Sequence, residues 1–243
     1  MAFGTSRHNL GLFFVGLETP RILNAGRDPA LHLINRVPEE VMTFRSTGLK
    51  RPQFAPEVAQ RIPPGQFLTE RWPVLHYGSV PAFDPVTWDF RVFGLVEREL
   101  HYSWEQFLAL PRVTVDADMH CVTRWSKLDN DWEGVSSRFI LDAAGVRADA
   151  RHVLFHAEGG YTSNVPIEVF AEENALLALK HDGEDLTPEH GFPLRVIVPS
   201  RYAWKSAKWL RAIEFLADNK LGFWEQYGYN NNADFIKEER FIE

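Results

Sequence analysis

One cysteine in 243 residues excludes an internal disulfide, a Cys-rich zinc site and a cysteine-held iron–sulfur cluster, each of which needs several thiolates at defined spacing. Most built-in electron carriers go with them. Positive charge is also in short supply: 26 Lys and Arg stand against 33 Asp and Glu, a formal balance of −7, so the surface as a whole offers no footing for nucleic acid or an anionic membrane. Any basic site has to be local. The N-terminal apolar stretch from Leu10 to Leu17 is far shorter than the roughly 20 residues a membrane-spanning helix needs, and it lacks both a preceding basic twin and a small-residue cleavage site. A cytoplasmic protein without a membrane span is expected. Internal repeats, low-complexity tracts and Gly-rich phosphate loops of the GxGxxG or GxxxxGK type are missing as well.

What is present divides near residue 62. Residues 1–62 are rich in Arg, Pro, Gly and Asn without sustained periodicity, and read as an irregular arm; residues 63–243 read as the domain. From Thr87 the run TWDFRVFGLV alternates large apolar residues like a strand. Ser103 and Gln106 form a capping box that opens a short helix, which Pro111 stops. In VTVDADMHC, Val113, Val115, Ala117, Met119 and Cys121 share one face, and Thr114, Asp116, Asp118 and His120 the other, so Cys121 faces inward at a strand's end. Ser136 to Ala144 reads as a helix ended by Gly145, His152 to Ala157 as a strand, and Ile167 to Phe170 as a helix opened by Pro166. Leu194 to Val198 and Lys208 to Leu216 read as further strands. Strands outnumber helices and do not alternate with them regularly, so the class is α+β with a mixed or antiparallel sheet and short helices.

Three stretches carry chemistry. Cys121 is either a packed small hydrophobe or a thiolate kept available for a soft metal or a nucleophilic role, the second favoured by the neighbouring His120 and Arg124. Between Glu189 and Glu214 no acidic residue occurs, yet Arg195, Arg201, Lys205, Lys208 and Arg211 all fall there. That run is either a solvated charged face or, because Val, Ile, Tyr and Trp interleave it, a packed scaffold presenting cations to a compact phosphate. GGYTSNVP, Gly159 to Pro166, places Tyr161 after two glycines, either as a turn residue or as a hydroxyl donor to an oxyanion or oxo group.

Together these stretches resemble the molybdenum-cofactor domain of the sulfite oxidase family, over about residues 63 to 241. HGFPLRVIVP followed by AKWL is similar to the vertebrate sulfite oxidase pattern, and GGYTSNVP to the segment bearing its active-site tyrosine. Around the cysteine the chain resembles the catalytic subunit of protein-methionine-sulfoxide reductase more closely, through Trp125-Ser126, the Trp132 and Gly134 pair, and Gln226 to Tyr229. The resemblance implies a sulfite-oxidase-type molybdopterin-binding fold, with molybdenum–molybdopterin as cofactor and Cys121 as the metal ligand. It implies contacts to the cofactor from His76, Tyr77, His190, Arg195, Ser206, Ala207 and Lys208. Tyr161 matches the tyrosine near the oxo group, Lys205 stands where sulfite oxidases carry a substrate arginine, and Arg124 begins the element that replaces their Asn-Arg-Arg. The implied activity is two-electron oxygen-atom transfer on a small S- or N-oxide or a sulfite-like anion, with a separate cytochrome, flavoprotein or small redox protein as electron partner. The other reading is a non-catalytic module for a phosphorylated small ligand, with Cys121 merely structural.

Overall fold

Strands and short helices follow one another along the part of the chain that a computed structural model describes, residues 54–242. The expected arm lies outside that range except at its end, where Pro56–Arg61 forms helix α1 with proline in its first turn. One sheet contains β1 (Phe67–Leu68), β4 (Val113–His120), β5 (Trp125–Ser136), β8 (Leu176–His181), β9 (Glu184–Asp185) and β10 (Arg195–Ile197). A second contains β2 (Asp89–Gly94), β3 (Leu100–Ser103), β6 (His152–Ala157), β7 (Thr162–Pro166) and β11 (Leu210–Leu216), in the order β3-β2-β11-β6-β7. The remaining helices are α2 (Trp104–Leu108), α3 (Ser137–Ala144), α4 (Ile167–Phe170) and α5 (Phe223–Gln226).

Both sheets are mixed: β1 runs parallel to β5 and β2 parallel to β11, while the other pairings are antiparallel. The fold is α+β, as the irregular spacing of short elements implies. The helices are too short to stand on propensity alone. Their ends follow the sequence closely. The Ser103 and Gln106 side chains cap α2 reciprocally, and Gly145 closes α3 in the left-handed conformation at φ 63.

The site is positioned by the two faces of the first sheet. β8 begins Leu-Leu-Ala-Leu, apolar without alternation, which suits a strand covered on both sides. Leu177 and Leu179 enter the larger core with Phe90, Val92, Phe155 and Phe215, whereas Leu176 and Ala178 enter a smaller one with Met119, Cys121, Trp125, Trp132 and Ile197. Burying one such leucine or isoleucine contributes about 1.5–3 kcal/mol, so these alternating positions fix the register of the sheet. At Gly134 the β5–β8 ladder shifts, and a Cβ there would lie 2.0 Å from the Leu177 carbonyl oxygen. Only glycine permits that approach.

The β4–β5 register shifts between Ala117 and Met119, and His120, on the face of β4 away from Cys121, is buried because the C-terminal segment covers it through Phe235. One local expectation changes. β11 begins at Leu210 instead of Lys208, since Trp209 adopts φ 54 and breaks the extended run. Lys208 thereby sits in a loop.

Candidate functional site

Cys121 directly follows β4, where the chain turns. Its amide donates to the Trp125 carbonyl at 2.9 Å, and its own carbonyl accepts from the Arg124 amide and from Gln66 Nε2, both at 3.0 Å. Arg124 supplies the left-handed residue of the turn at φ 75. The thiol lies 8% exposed on the face that carries Met119, Trp132 and Ile197, and Thr123 Oγ1 donates to Sγ at 3.1 Å. Burial pushes the Cys121 thiol up; the Thr123 hydroxyl and the positive Lys208 work against that rise.

The neighbours expected to favour the thiolate are not the ones that do. Successive strand residues face opposite ways, so His120 cannot share the surroundings of Cys121. Its Nδ1 meets Ser126 Oγ at 2.9 Å, and burial pushes the imidazole down to about 4, leaving it neutral. The side chain of Arg124 turns toward Gly65, beside Glu238. The cation acting on the thiol is Lys208.

Arg195 lies two residues before Ile197 on β10 and therefore on the Cys121 face of the sheet. It is 2% exposed. Nη1 donates to the His190 carbonyl at 2.8 Å and Nη2 to the Ser206 carbonyl at 3.0 Å, while Nε is buried with no partner among the described residues. The rings of Trp72 and Trp132 face the guanidinium at 5.2 and 5.7 Å, and burial pushes it down to about 9. A buried cation whose hydrogen bonds end on neutral carbonyls is costly unless an anion completes it.

Three further groups converge there. Lys208 Nζ donates to the Glu189 carbonyl at 2.6 Å, and burial together with Arg195 pushes it down to about 7. His190 stacks on Trp72 at 3.9 Å, donates from Nε2 to the Trp72 carbonyl at 3.3 Å, and is pushed down to about 4 by burial and by Lys208 and Arg195. Between them Gly191 sits at φ 113, where a Cβ would come within 3.1 Å of Lys208 Cβ and 3.2 Å of Arg195 Cβ. Ser206 Oγ accepts from the Val198 amide at 3.1 Å, and the Ala207 carbonyl from Val196 at 3.0 Å, which ties this loop to β10. His76 lies edge-on to Trp209 at 5.5 Å, and Tyr77, 45% exposed, packs on Phe223 at 4.6 Å.

Tyr161 donates from its hydroxyl to the Trp204 carbonyl at 2.9 Å; burial, then Glu225, raise its pKa well above the usual phenol value. Lys205 is fully buried. Its Nζ meets Glu225 Oε1 at 2.5 Å and Asn164 Oδ1 at 2.9 Å, and the Asn164 amide donates onward to Asn219 and Asn231. The structure thus gathers Cys121, His190, Arg195 and Lys208 about one face, and leaves Arg124 and Lys205 in other surroundings. Sequence reasoning misses Trp72, Gln66 and Glu225: the first two lie in an aperiodic Pro-rich stretch, and the third is linked to Lys205 only in space. Among the described residues no three His, Cys, Asp or Glu converge as metal ligands. The donor set instead fits a heavy metal taken by one soft thiolate and carried by an anionic organic group, with Arg195 and Lys208 unanswered by any bonded carboxylate.

Residues 77–224 match the sequence family described as the oxidoreductase molybdopterin-binding domain, and the chain belongs to that family of molybdopterin-dependent oxidoreductases, the one that includes sulfite oxidase. Among curated relatives, the Bacillus subtilis protein named uncharacterized oxidoreductase YuiH is 49% identical over 74% of this chain and 92% of its own. The putative protein-methionine-sulfoxide reductase subunit YedZ1 of Azospira oryzae is 28% identical over 73% of this chain and 68% of its own, and the sulfite oxidase of Arabidopsis thaliana 27% over 63% and 48%. The crystal structure of the sulfane dehydrogenase SoxCD from Paracoccus pantotrophus matches with a TM-score of 0.54 at 22% identity, covering 59% of this chain and 41% of that one. At that identity the likeness carries the fold alone. Among the described residues no helix is long and apolar enough to cross a membrane.

Proposed function

We propose that Cys121 is the protein ligand of a molybdenum held by molybdopterin, and that the enzyme carries out two-electron oxygen-atom transfer on a small substrate. The carrying observation is that the buried thiol shares a sheet face with the buried Arg195, whose hydrogen bonds end on neutral carbonyls. The chemistry supplied by the bound group is a two-electron redox couple able to give or accept an oxygen atom. The chain's own residues hold and orient. Arg195, Lys208 and the loop from Ser206 to Ala207 would hold the phosphate through charge-assisted hydrogen bonds, with His190 held flat by Trp72 beside them. His76 and Tyr77 would contact the pterin. Tyr161 keeps its proton at Oη across the physiological range, and turning that O–H away from the Trp204 carbonyl would make it a donor toward substrate oxygen.

Lys205 takes a different part from the one the resemblance assigns. Sealed against Glu225 and Asn164, it supports the floor beneath Tyr161 and Trp204 instead of meeting substrate. Arg124, turned toward Gly65 beside Glu238, likewise stands apart from the face that carries the thiol. Electrons pass to or from a separate cytochrome, flavoprotein or small redox protein. Residues 63–243 carry the site.

Elemental analysis tests the metal, with near-stoichiometric molybdenum expected in wild type. Turnover of sulfoxides with reduced viologen, set against sulfite with ferricyanide, gives the direction. Cys121→Ser is expected to abolish both; turnover at the wild-type rate in that variant overturns the assignment. A non-catalytic module is disfavoured by the family match.

A further inference from the structure

Past the family-matched residues 77–224, helix α5 ends in a turn that sends one tyrosine outward and the next inward. The Tyr227 and Tyr229 amides both donate to the Trp224 carbonyl, at 2.9 and 3.1 Å, and Gly228 between them adopts φ 93. Tyr227 is 55% exposed and Tyr229 only 5%. Three rings pack on that of Tyr229: Trp204 edge-on at 5.1 Å, Trp224 at 5.1 Å and Phe241 at 5.0 Å. The ring is thereby fixed in orientation.

Its hydroxyl is placed unlike those of the neighbouring tyrosines. Tyr161 donates to the Trp204 carbonyl, and the Tyr202 hydroxyl is sealed in without an aligned partner. The Tyr229 hydroxyl has no partner among the described residues either, yet it is not sealed: the little of Tyr229 that stays accessible includes the oxygen. A buried tyrosine ordinarily spends its O–H on the fold; this one keeps it for something else. The oxygen also stands with the site. Burial, then the charge of Cys121, push Tyr229 up to about 12, and Tyr229, after burial and Glu225, raises Tyr161 in turn, so the three groups are neighbours. Two contacts agree with that placement. Trp204 takes the Tyr161 hydroxyl on its carbonyl and the Tyr229 ring against its indole. The chain that follows Tyr229 then carries Phe235 to within 4.2 Å of the ring of His120, the residue next to Cys121. Tyr161 has to leave its carbonyl before it can donate elsewhere. Tyr229 is free already.

We propose that Tyr229 receives the oxygen-bearing group of the substrate, donating a hydrogen bond from Oη to the oxygen that is transferred; this rests on the reading of Cys121 as metal ligand. Such a bond is strongest where charge gathers on that oxygen, so it is expressed in kcat more than in KM. Tyr229→Phe removes the hydroxyl and keeps the ring. In the loaded enzyme kcat is expected to fall at least about tenfold, with molybdenum content and the urea midpoint as in wild type. The readout independent of turnover is carbon-13 NMR of the loaded protein labelled at tyrosine Cζ, in which six tyrosines give six signals that phenylalanine variants assign. Dimethyl sulfone and sulfate, unreactive counterparts of a sulfoxide and of sulfite, are added in turn. One of them is expected to shift the Tyr229 signal saturably and to leave that of Tyr202 in place. Should Tyr229→Phe fail to fold, variants of the other tyrosines assign the signal by elimination. Molybdenum absent from wild type overturns the Cys121 reading, and this proposal with it. With molybdenum present, a Tyr229 signal that neither probe moves, or wild-type kcat in Tyr229→Phe, overturns the proposal alone.

Discussion

The guanidinium of Arg195 lies 5.2 Å from the ring centroid of Trp72. The same ring carries His190 stacked at 3.9 Å, so one tryptophan from an aperiodic stretch orients two of the groups assigned to the cofactor. Trp72→Leu keeps apolar cover and removes the π face. Molybdenum content is expected to fall severalfold while the unfolding midpoint in urea moves little. A retained full molybdenum load removes Trp72 from the site.

Gly191 separates Lys208 from Arg195 at a φ that side chains with a Cβ rarely adopt. Gly191→Ala is expected to cost about 1–3 kcal/mol of stability through backbone strain. It also pushes the two cations apart, so cofactor retention falls further than stability does. Comparing thermal melting of loaded and cofactor-free protein separates the two effects.

Lys205 and Glu225 are an ion pair with side chains 0% and 1% exposed. Lys205→Met strands a buried carboxylate and is expected to destabilise by about 3–5 kcal/mol. Adding Glu225→Gln to that variant recovers part of the loss, since the neutral amide still accepts from Trp204 Nε1. Equilibrium urea unfolding of the four members of the cycle measures it; simple additivity contradicts the pairing.

Asp89 ties β2 to β11. Burial works against its charge, but hydrogen bonds from Arg211 and His101 prevail and hold its carboxyl below the usual range. A group whose pKa is depressed by folding contributes stability above its unfolded value, about 3.9, and that contribution is lost as pH falls toward the folded value. Wild type is therefore expected to lose stability below about pH 4 more steeply than Asp89→Asn, by urea midpoints taken at a series of pH values. Parallel curves contradict the assignment.

Much of the scaffold is written locally. The Ser103 and Gln106 cap, the Gly145 stop and the inward side of Met119 and Cys121 follow from nearest-neighbour rules, and the structure contains each. Arg195 and Lys208 are legible as a basic run without acids. What the sequence does not carry is pairing across distance. Nothing near Lys205 announces Glu225, and nothing near His120 announces Phe235, so one cation becomes internal and one histidine neutral. The left-handed Trp209 similarly breaks an apolar run that reads as continuous strand.

β8 is a party wall, giving Leu177 and Leu179 to one core and Leu176 and Ala178 to the other. Its amides have no separate route to solvent, because exposing them means dismantling both sides together. In hydrogen exchange the floor under Cys121 therefore opens only with the whole molecule, and metal release by local breathing has to begin in the loops around it.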